Sequence, residues 1–565
     1  MGPPTSALSP DFVRTGGRIL VDNLLAQGVD LAFCVPGESY LPVLDALYEV
    51  RDRLRLIVCR QEGGAAYMAE ASGKLTGRPG IVFVTRGPGA SNAAIGIHTA
   101  QQDSTPLIAF VGQVGSDFAE REAFQEIDYR RMYGGIAKWA AQIDRAERIP
   151  EYIARAFRVA LSGRPGPVVL ALPEDMLSAR ASAADVARVE PPAVAPSTAQ
   201  IAAVRGLLAK AKRPLVLVGG SGWTAQACAD LARFVEANAL PVACAFRNQD
   251  VFDNRHPNYA GDVGIAINPK LAARVREADA LLVVGERLGE MVTSGYALLA
   301  APQPTQPLIH VHPGAEELGR VYQPALAIQS SIVPFCAAVA AMEPISTAPW
   351  VGSAEQAHAD YLAWQAPRAM PGELDLWRVV ATLREQLPED AILANGAGNY
   401  VSWLSRLYLY PRYRTQLAPY NGSMGYGVPA AIAAKAVYPD RVVLSWNGDG
   451  CFLMNGQELA TAVQYRLAIV FIVIDNGMYG TIRMHQEREY PGRVYATELL
   501  NPDFAALARA YGALGETVTR TAEFASALER ALAAGRPALL HLRVDPQAIT
   551  MNATIEEIRA AASHR

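Results

Sequence analysis

Short apolar runs that end at turn residues and alternate with helical patterns constrain this chain most. Gly80–Thr85, Leu107–Val111, Leu215–Val218, Ala280–Val284 and Ile469–Ile474 are such runs, each too short for a helix and followed by an amphipathic stretch. Strand–helix alternation of this kind predicts parallel sheets covered by helices on both faces. Ligands of such sheets bind at the carboxyl ends of the strands. With 565 residues the chain is too long for one core, and two segments rich in proline and small residues, Glu190–Thr198 and Glu343–Ser353, divide it. The expected architecture is α/β, with three doubly wound parallel-sheet domains over 1–189, 199–343 and 354–565.

Several classes of protein are disfavoured. A net charge of −4 supplies no basic face for a nucleic acid. The longest strongly apolar run, Leu467–Ile474, is too short to cross a bilayer. Met1–Arg14 has no apolar core of a signal peptide. The six cysteines are scattered without a CxxC pair, which suits reduced thiols and a cytoplasmic location.

The first and last parts share an order of features. Ile81–Thr85 runs into Gly87-Pro88-Gly89, as Val442–Trp446 runs into Gly448-Asp449-Gly450. Gly163-Arg164-Pro165 precedes the strand Pro167–Leu172, as Gly535-Arg536-Pro537 precedes Leu539–Val544. Such pairing suggests a ligand shared by two related domains.

Chemistry concentrates at Trp446-Asn447-Gly448-Asp449-Gly450 and, one strand later, Asp475-Asn476. Glycines allow close backbone approach, and amides at a helix start hold a diphosphate. Asp449 and Asn476 are hard oxygen donors suited to Mg²⁺. These motifs resemble the thiamine-diphosphate site of the family containing acetohydroxyacid (acetolactate) synthase, pyruvate oxidase and benzaldehyde lyase. The resemblance runs over nearly the whole chain, with Asp475 standing where the family usually has a first asparagine. It implies a third metal ligand in the Met478 carbonyl. It also implies cofactor contacts at Gly448, Gly450, Cys451, Tyr479 and Gly480, and upstream at Gly396, Ala397, Asn399 and Tyr400. The Gly422 carbonyl would accept from the cofactor's 4′-amino group, and Met424 would wedge between its rings. Glu62, in Arg60-Gln61-Glu62-Gly63-Gly64, would hydrogen-bond N1′ of the aminopyrimidine. The blander reading of Glu62 is a carboxylate favoured by the start of a helix.

The reaction is narrowed by two features. The adjacent histidine pair of simple decarboxylases is missing, so no proton donor of that kind would quench a carbanion–enamine. Ala123-Phe124-Gln125-Glu126 and Lys138 resemble the substrate-facing segment of the synthases, with Gln125 toward the reacting centre and Lys138 holding a carboxylate. His485 lies near where the resembling enzymes place specificity residues, and there it would act in acid–base chemistry or meet a polar substrate; plain surface exposure is the alternative. The resemblance thus implies a carboligase or lyase acting on 2-oxo acids, aldehydes or ketones, including 2-hydroxyketones, as a homodimer or homotetramer. Hydrolysis of a diketone and flavin-dependent oxidation of pyruvate remain open. A binding protein without catalysis is disfavoured by the retention of Glu62, Asp449 and Asn476. FAD also stays open: Gly219-Gly220-Ser221-Gly222 suits a nucleotide fold, but the stretch Arg287-Leu288-Gly289-Glu290-Met291 departs from the flavin-bearing RFDDR pattern, and His310 and His312 stand where acids are common.

Overall fold

The computed structural model describes residues 13–563. Most of the segment on which the absence of a leader was read therefore lies outside the described residues. Three six-stranded parallel sheets account for the core. The first contains β1 (Leu31–Cys34), β2 (Arg55–Val58), β3 (Gly80–Val84), β4 (Leu107–Gln113), β5 (Trp139–Gln142) and β6 (Pro167–Pro173). The middle sheet contains β7 (Pro214–Val218), β8 (Val242–Ala245), β9 (Tyr259–Val263), β10 (Ala280–Val284), β11 (Leu308–His312) and β12 (Leu326–Gln329). The last contains β13 (Ile392–Asn395), β14 (Gln416–Leu417), β15 (Val443–Gly448), β16 (Val470–Asp475), β17 (Leu514–Val518) and β18 (Ala538–Arg543).

Strand order supports the duplication read from the sequence. The first sheet runs β2-β1-β3-β4-β6-β5 and the last runs β14-β13-β15-β16-β18-β17, the same permutation. The middle sheet differs, with the order β9-β8-β7-β10-β11-β12. The central strands are wholly buried: every residue of β3, β4, β6, β7 and β10 is covered. That is why they read as continuous apolar runs rather than alternating ones. Phe83 and Phe110 stack at 4.9 Å inside the first core.

The first sheet belongs to a compact N-terminal unit ending at Pro192, which also takes in Ile432–Val437; the middle and last sheets belong to a second unit. Seven helices matter below: α1 (Glu62–Thr76), α2 (Gly87–Asp103), α3 (Ile149–Leu161), α4 (Ala225–Ala237), α5 (Asp449–Leu453), α6 (Gly480–Glu489) and α7 (Ile555–Ser563). No described helix is long and apolar enough to cross a membrane.

Within the second unit, α7 is fastened to α6 by a buried ion cluster. The Glu487 carboxylate accepts from Arg559 Nε and Nη2 at 2.8 and 2.7 Å, from Arg483 Nε at 2.9 Å and from the Gly492 amide at 2.9 Å. Met478, Met484, Ile549, Ile555 and Ile558 pack beneath it. The bidentate Arg559 contact lowers the Glu487 carboxyl to about 2. An unfolded glutamate titrates near about 4.3. The folded value is depressed, so the clasp's contribution is full above about 4.3 and is lost as pH falls toward the folded value. Limited proteolysis of the 555–563 helix should show release over that acid window. Glu487→Gln should release the helix already at neutral pH; a helix equally protected in both chains would refute the clasp.

Candidate active site

The parallel register builds the site in the last sheet. Gly448 pairs with Ile474, so Asp449 and Asn476 leave neighbouring strand ends side by side. α5 starts at Asp449 directly after β15, which aims its first amides across the strand ends. Asp449 is only 3% exposed. Its Oδ1 accepts from the Gly450 amide at 2.8 Å, and its Oδ2 accepts from the Gly477 amide at 3.0 Å and Asn501 Nδ2 at 2.8 Å. Burial pushes this carboxyl upward despite those donors. The neighbouring Asp475 behaves oppositely. Burial raises it too, but donation from His541 Nε2 at 2.8 Å, from Asn501 and from the Gly477 amide outweighs that and holds it below the usual carboxylate range.

Around Asp449 lies a cavity of about 230 Å³. Ala397, Asn399, Tyr400, Gly422, Met424, Gly448, Gly450, Cys451, Asn476, Met478, Tyr479 and Gly480 all line it, as expected from the sequence. Gly396 sits behind the wall, where a Cβ would strike Cys451 Sγ. The glycines leave the space that the cavity needs. A Cβ on Gly448 would come within 2.7 Å of the Tyr400 ring, and one on Gly450 within 2.7 Å of the Tyr479 ring. Gly422, at φ +70°, faces open space, with nothing within 4 Å of its Cβ position. The Tyr400 hydroxyl is buried with no hydrogen-bond partner.

Local clips hold the donors in place. Tyr479 N donates to Thr497 O at 2.8 Å and Leu499 N donates to Gly477 O at 2.8 Å, so the Gly477–Tyr479 backbone is held as if in a sheet. Asn399 is held by Thr481, whose Oγ1 donates to Asn399 Oδ1 at 3.0 Å, and its Nδ2 donates to Ile549 O at 3.2 Å. Among the described residues no three His, Cys, Asp or Glu side chains converge to hold a metal. A cation here would therefore take one carboxylate, an amide oxygen and a backbone carbonyl, with the remaining oxygens from a ligand. Glycine-lined walls, one buried carboxylate and an orphan hydroxyl fit a Mg²⁺-diphosphate group.

In the N-terminal unit Glu62 opens α1, with the Gln61 side chain capping the Gly64 amide at 3.0 Å. Asn92 Nδ2, on α2, donates to Glu62 Oε2 at 2.9 Å. Gly89 leaves room for the carboxylate, since a Cβ there would stand 3.2 Å from Glu62 Oε1. Gln125 lies at the same carboxyl edge, its carbonyl accepting from the Gly87 amide at 3.0 Å. Its φ of +66° is strained for a residue with a Cβ, and its Oε1 is buried without a partner.

Two expected residues are placed elsewhere. Lys138 precedes β5 at the amino edge of the first sheet, and its Nζ donates to the Val159 and Ser162 carbonyls at 2.6 Å, closing the end of α3. It is a helix-end cation and does not meet Gln125, because the strand direction sends it to the opposite edge. His485 is exposed on α6 and accepts from Arg488 Nη2 at 2.6 Å; it does not line the cavity. His310 and His312 are buried on β11 and bond backbone groups of Glu286 and Gly314. Sequence reasoning missed Asn92, Asn501, His541 and Thr481. Only Asn501, in Asn501-Pro502-Asp503, stands in a stretch with a turn signature.

Three family models divide the chain between them. The thiamine pyrophosphate enzyme N-terminal TPP binding domain matches residues 14–132, the central domain 201–339, and the C-terminal TPP binding domain 396–542. Among curated proteins, the chain is 31% identical to the acetolactate synthase isozyme 2 large subunit of Escherichia coli, over 94% of this chain and 95% of that one. It is 32% identical to the acetolactate synthase large subunit of Corynebacterium glutamicum, over 92% and 84%. It is also 32% identical to the probable acetolactate synthase large subunit of Methanocaldococcus jannaschii, over 94% and 92%. The chain therefore belongs to the thiamine pyrophosphate enzyme family, with the acetolactate synthase large subunits as relatives along nearly its whole length.

Proposed function

We propose that this enzyme is a Mg²⁺- and thiamine-diphosphate-dependent carboligase or lyase of the acetolactate synthase kind, acting on 2-oxo acids or 2-hydroxyketones in the cytoplasm. The observation that carries the reading is Asp449, a buried carboxylate at a strand end, with Asn476 beside it and a glycine-walled cavity in front. Bound there, thiamine diphosphate supplies an electron sink for cleaving or forming a bond next to a carbonyl.

The chain's own groups have separate tasks. Asp449, Asn476 and the Met478 carbonyl hold the metal, and the α5 amides orient the diphosphate. Met424 and Gly422 line the wall that would receive the cofactor's rings. Glu62, steadied by Asn92, holds a proton at N1′ of the aminopyrimidine. Gln125, in its strained conformation, presents an amide to the substrate. With no adjacent histidine pair to protonate the product-forming carbon, a second carbonyl compound is the favoured partner. Incubation with a panel of 2-oxo acids and aldehydes, followed by product mass analysis, tests the assignment. A ligated product, or cleavage of an added 2-hydroxyketone into two carbonyl compounds, supports it; mere decarboxylation of the 2-oxo acids to free aldehydes, or hydrolysis alone, would overturn it.

The surface around the cavity supports an assembly of copies. Leu453, Met454, Ile482 and Leu500 are apolar and exposed on segments that frame it, an arrangement that favours burial against another copy. A homodimer or homotetramer is expected in sedimentation velocity, and a fully active monomer would contradict it.

Two substitutions probe the chemistry. Asp449→Ala should abolish Mg²⁺-dependent binding of thiamine diphosphate in calorimetry, because the only charged metal ligand is removed; unchanged affinity would refute the ligand assignment. Glu62→Gln should still bind the cofactor but lose ~10²–10⁴-fold in turnover, with slowed exchange of the cofactor C2 proton. A Glu62 that served only the helix start would cost about 0.3–1 kcal/mol of stability and leave exchange intact.

A further inference from the structure

In a sheet ordered like the middle one, a dinucleotide lies across the point where the strand order reverses, against a glycine turn at the start of a helix. Here that point falls between β7 and β10. The chain's own side chains occupy it. The glycine turn Gly219–Gly222 leads toward α4, yet Trp223 folds back so that its Nε1 donates to Gly219 O at 2.8 Å, and the indole is 2% exposed. Glu286, two residues past β10, is 1% exposed and lies over the other side of the turn: its Oε2 is 2.9 Å from the position that a Gly219 Cβ would take. Gly285 is closed in by Gly219 O, Ile332 Cδ1 and Trp223 Nε1. Gly219 and Gly285 thus make room for neighbouring protein atoms, and Gly220, at φ +71°, would strike the Gly285 carbonyl with any Cβ.

The same strand ends reach the turn that carries Gly422. Tyr420 Oη donates to Glu286 Oε1 at 2.8 Å. Arg247, just past β8 at φ +61°, donates through Nη1 to Pro419 O, which also accepts from the Gly422 amide at 3.1 Å. Phe246 meets the Tyr420 ring edge-on at 5.8 Å. Three contacts from β8 and β10 therefore fix the Pro419–Gly422 turn, and Gly422 lines the thiamine cavity.

We propose that the middle domain's strand-order reversal acts as an internal buttress for the Gly422 turn and holds no flavin or nicotinamide dinucleotide. Glu286 is then a positioning residue acting through Tyr420, and its carboxyl fills the crevice a dinucleotide would need. The inference rests on the reading of Gly422 as a wall of the thiamine site.

Two measurements test it on the full-length protein. Equilibrium dialysis of the Mg²⁺–thiamine diphosphate holoenzyme against FAD should give no saturable binding, and added FAD should leave turnover unchanged; stoichiometric FAD would overturn the proposal. In calorimetry, Glu286→Ala should weaken thiamine diphosphate by ~3- to 10-fold, the scale of one lost hydrogen bond. Glu286→Gln, which keeps an acceptor for Tyr420, should restore near-native affinity. A Glu286→Ala chain that melts earlier but binds the cofactor as tightly as the native one would overturn the buttress, since a merely structural role moves stability alone. Failure of the native chain itself to bind thiamine diphosphate would instead strike at the cavity assignment, while the FAD measurement would still decide the crevice.

Discussion

The burial of one carboxylate governs the C-terminal half of this enzyme. Removing Asp449 from water is costly unless donors meet it, and the fold supplies three: two backbone amides and the Asn501 side chain. Hydrogen bonds to a charged group contribute about 1.5–3 kcal/mol each, enough to fix a rotamer without neutralising the charge. The arrangement extends backward, since Asn501 bridges to Asp475 and Asp475 is matched by His541 on β18. A cation bound at Asp449, as proposed above, would meet a carboxylate already oriented by a supporting layer, which would limit the reorganisation that binding requires.

Duplication explains how two sheets with one strand order divide the work. In the N-terminal unit, the helix after β2 begins with Glu62 and the helix after β3 begins with the Gly87 turn. In the second unit, the segment after β14 carries Gly422 and Met424, and the helix after β15 begins with Asp449. The same pair of strand ends is used in both, with the carboxylate after β2 in one, Glu62, and after β15 in the other, Asp449. Packing differs accordingly. α1 and α2 approach closely through small residues such as Gly96, whose Cβ would run into Ala66, and this brings Asn92 within reach of Glu62.

Much of this was legible in the sequence because parallel sheets write themselves as apolar runs and their strand ends as glycine turns. Asp449, Asn476 and the cavity-lining glycines lie within a few residues of such ends, so their placement followed from strand direction. Lys138 misled because it follows the substrate-facing loop in sequence, yet the chain crosses from one edge of the sheet to the other before β5 begins. His485 lies a turn beyond Ile482 and Thr481 on the same side of α6, past the rim of the cavity, where it is exposed beside Arg488, the plain surface position that was its alternative reading. Asn92, Asn501 and His541 act across long sequence separations, and no local pattern marks a residue that serves another residue's carboxylate.

The contact between Asn399 and Ile549 has a consequence for how the molecule is assembled. It joins residues 150 apart and closes the cavity with a segment that lies beyond the last strand of its sheet. Contacts of such separation carry a loop-closure cost and form after the more local ones that reward it. The sheet can be in place while the cavity is still open along this side. Closing the cavity thus depends on a strap that no strand of the sheet secures, and a chain cut before Ile549 would keep the sheet while leaving that side of the cavity open.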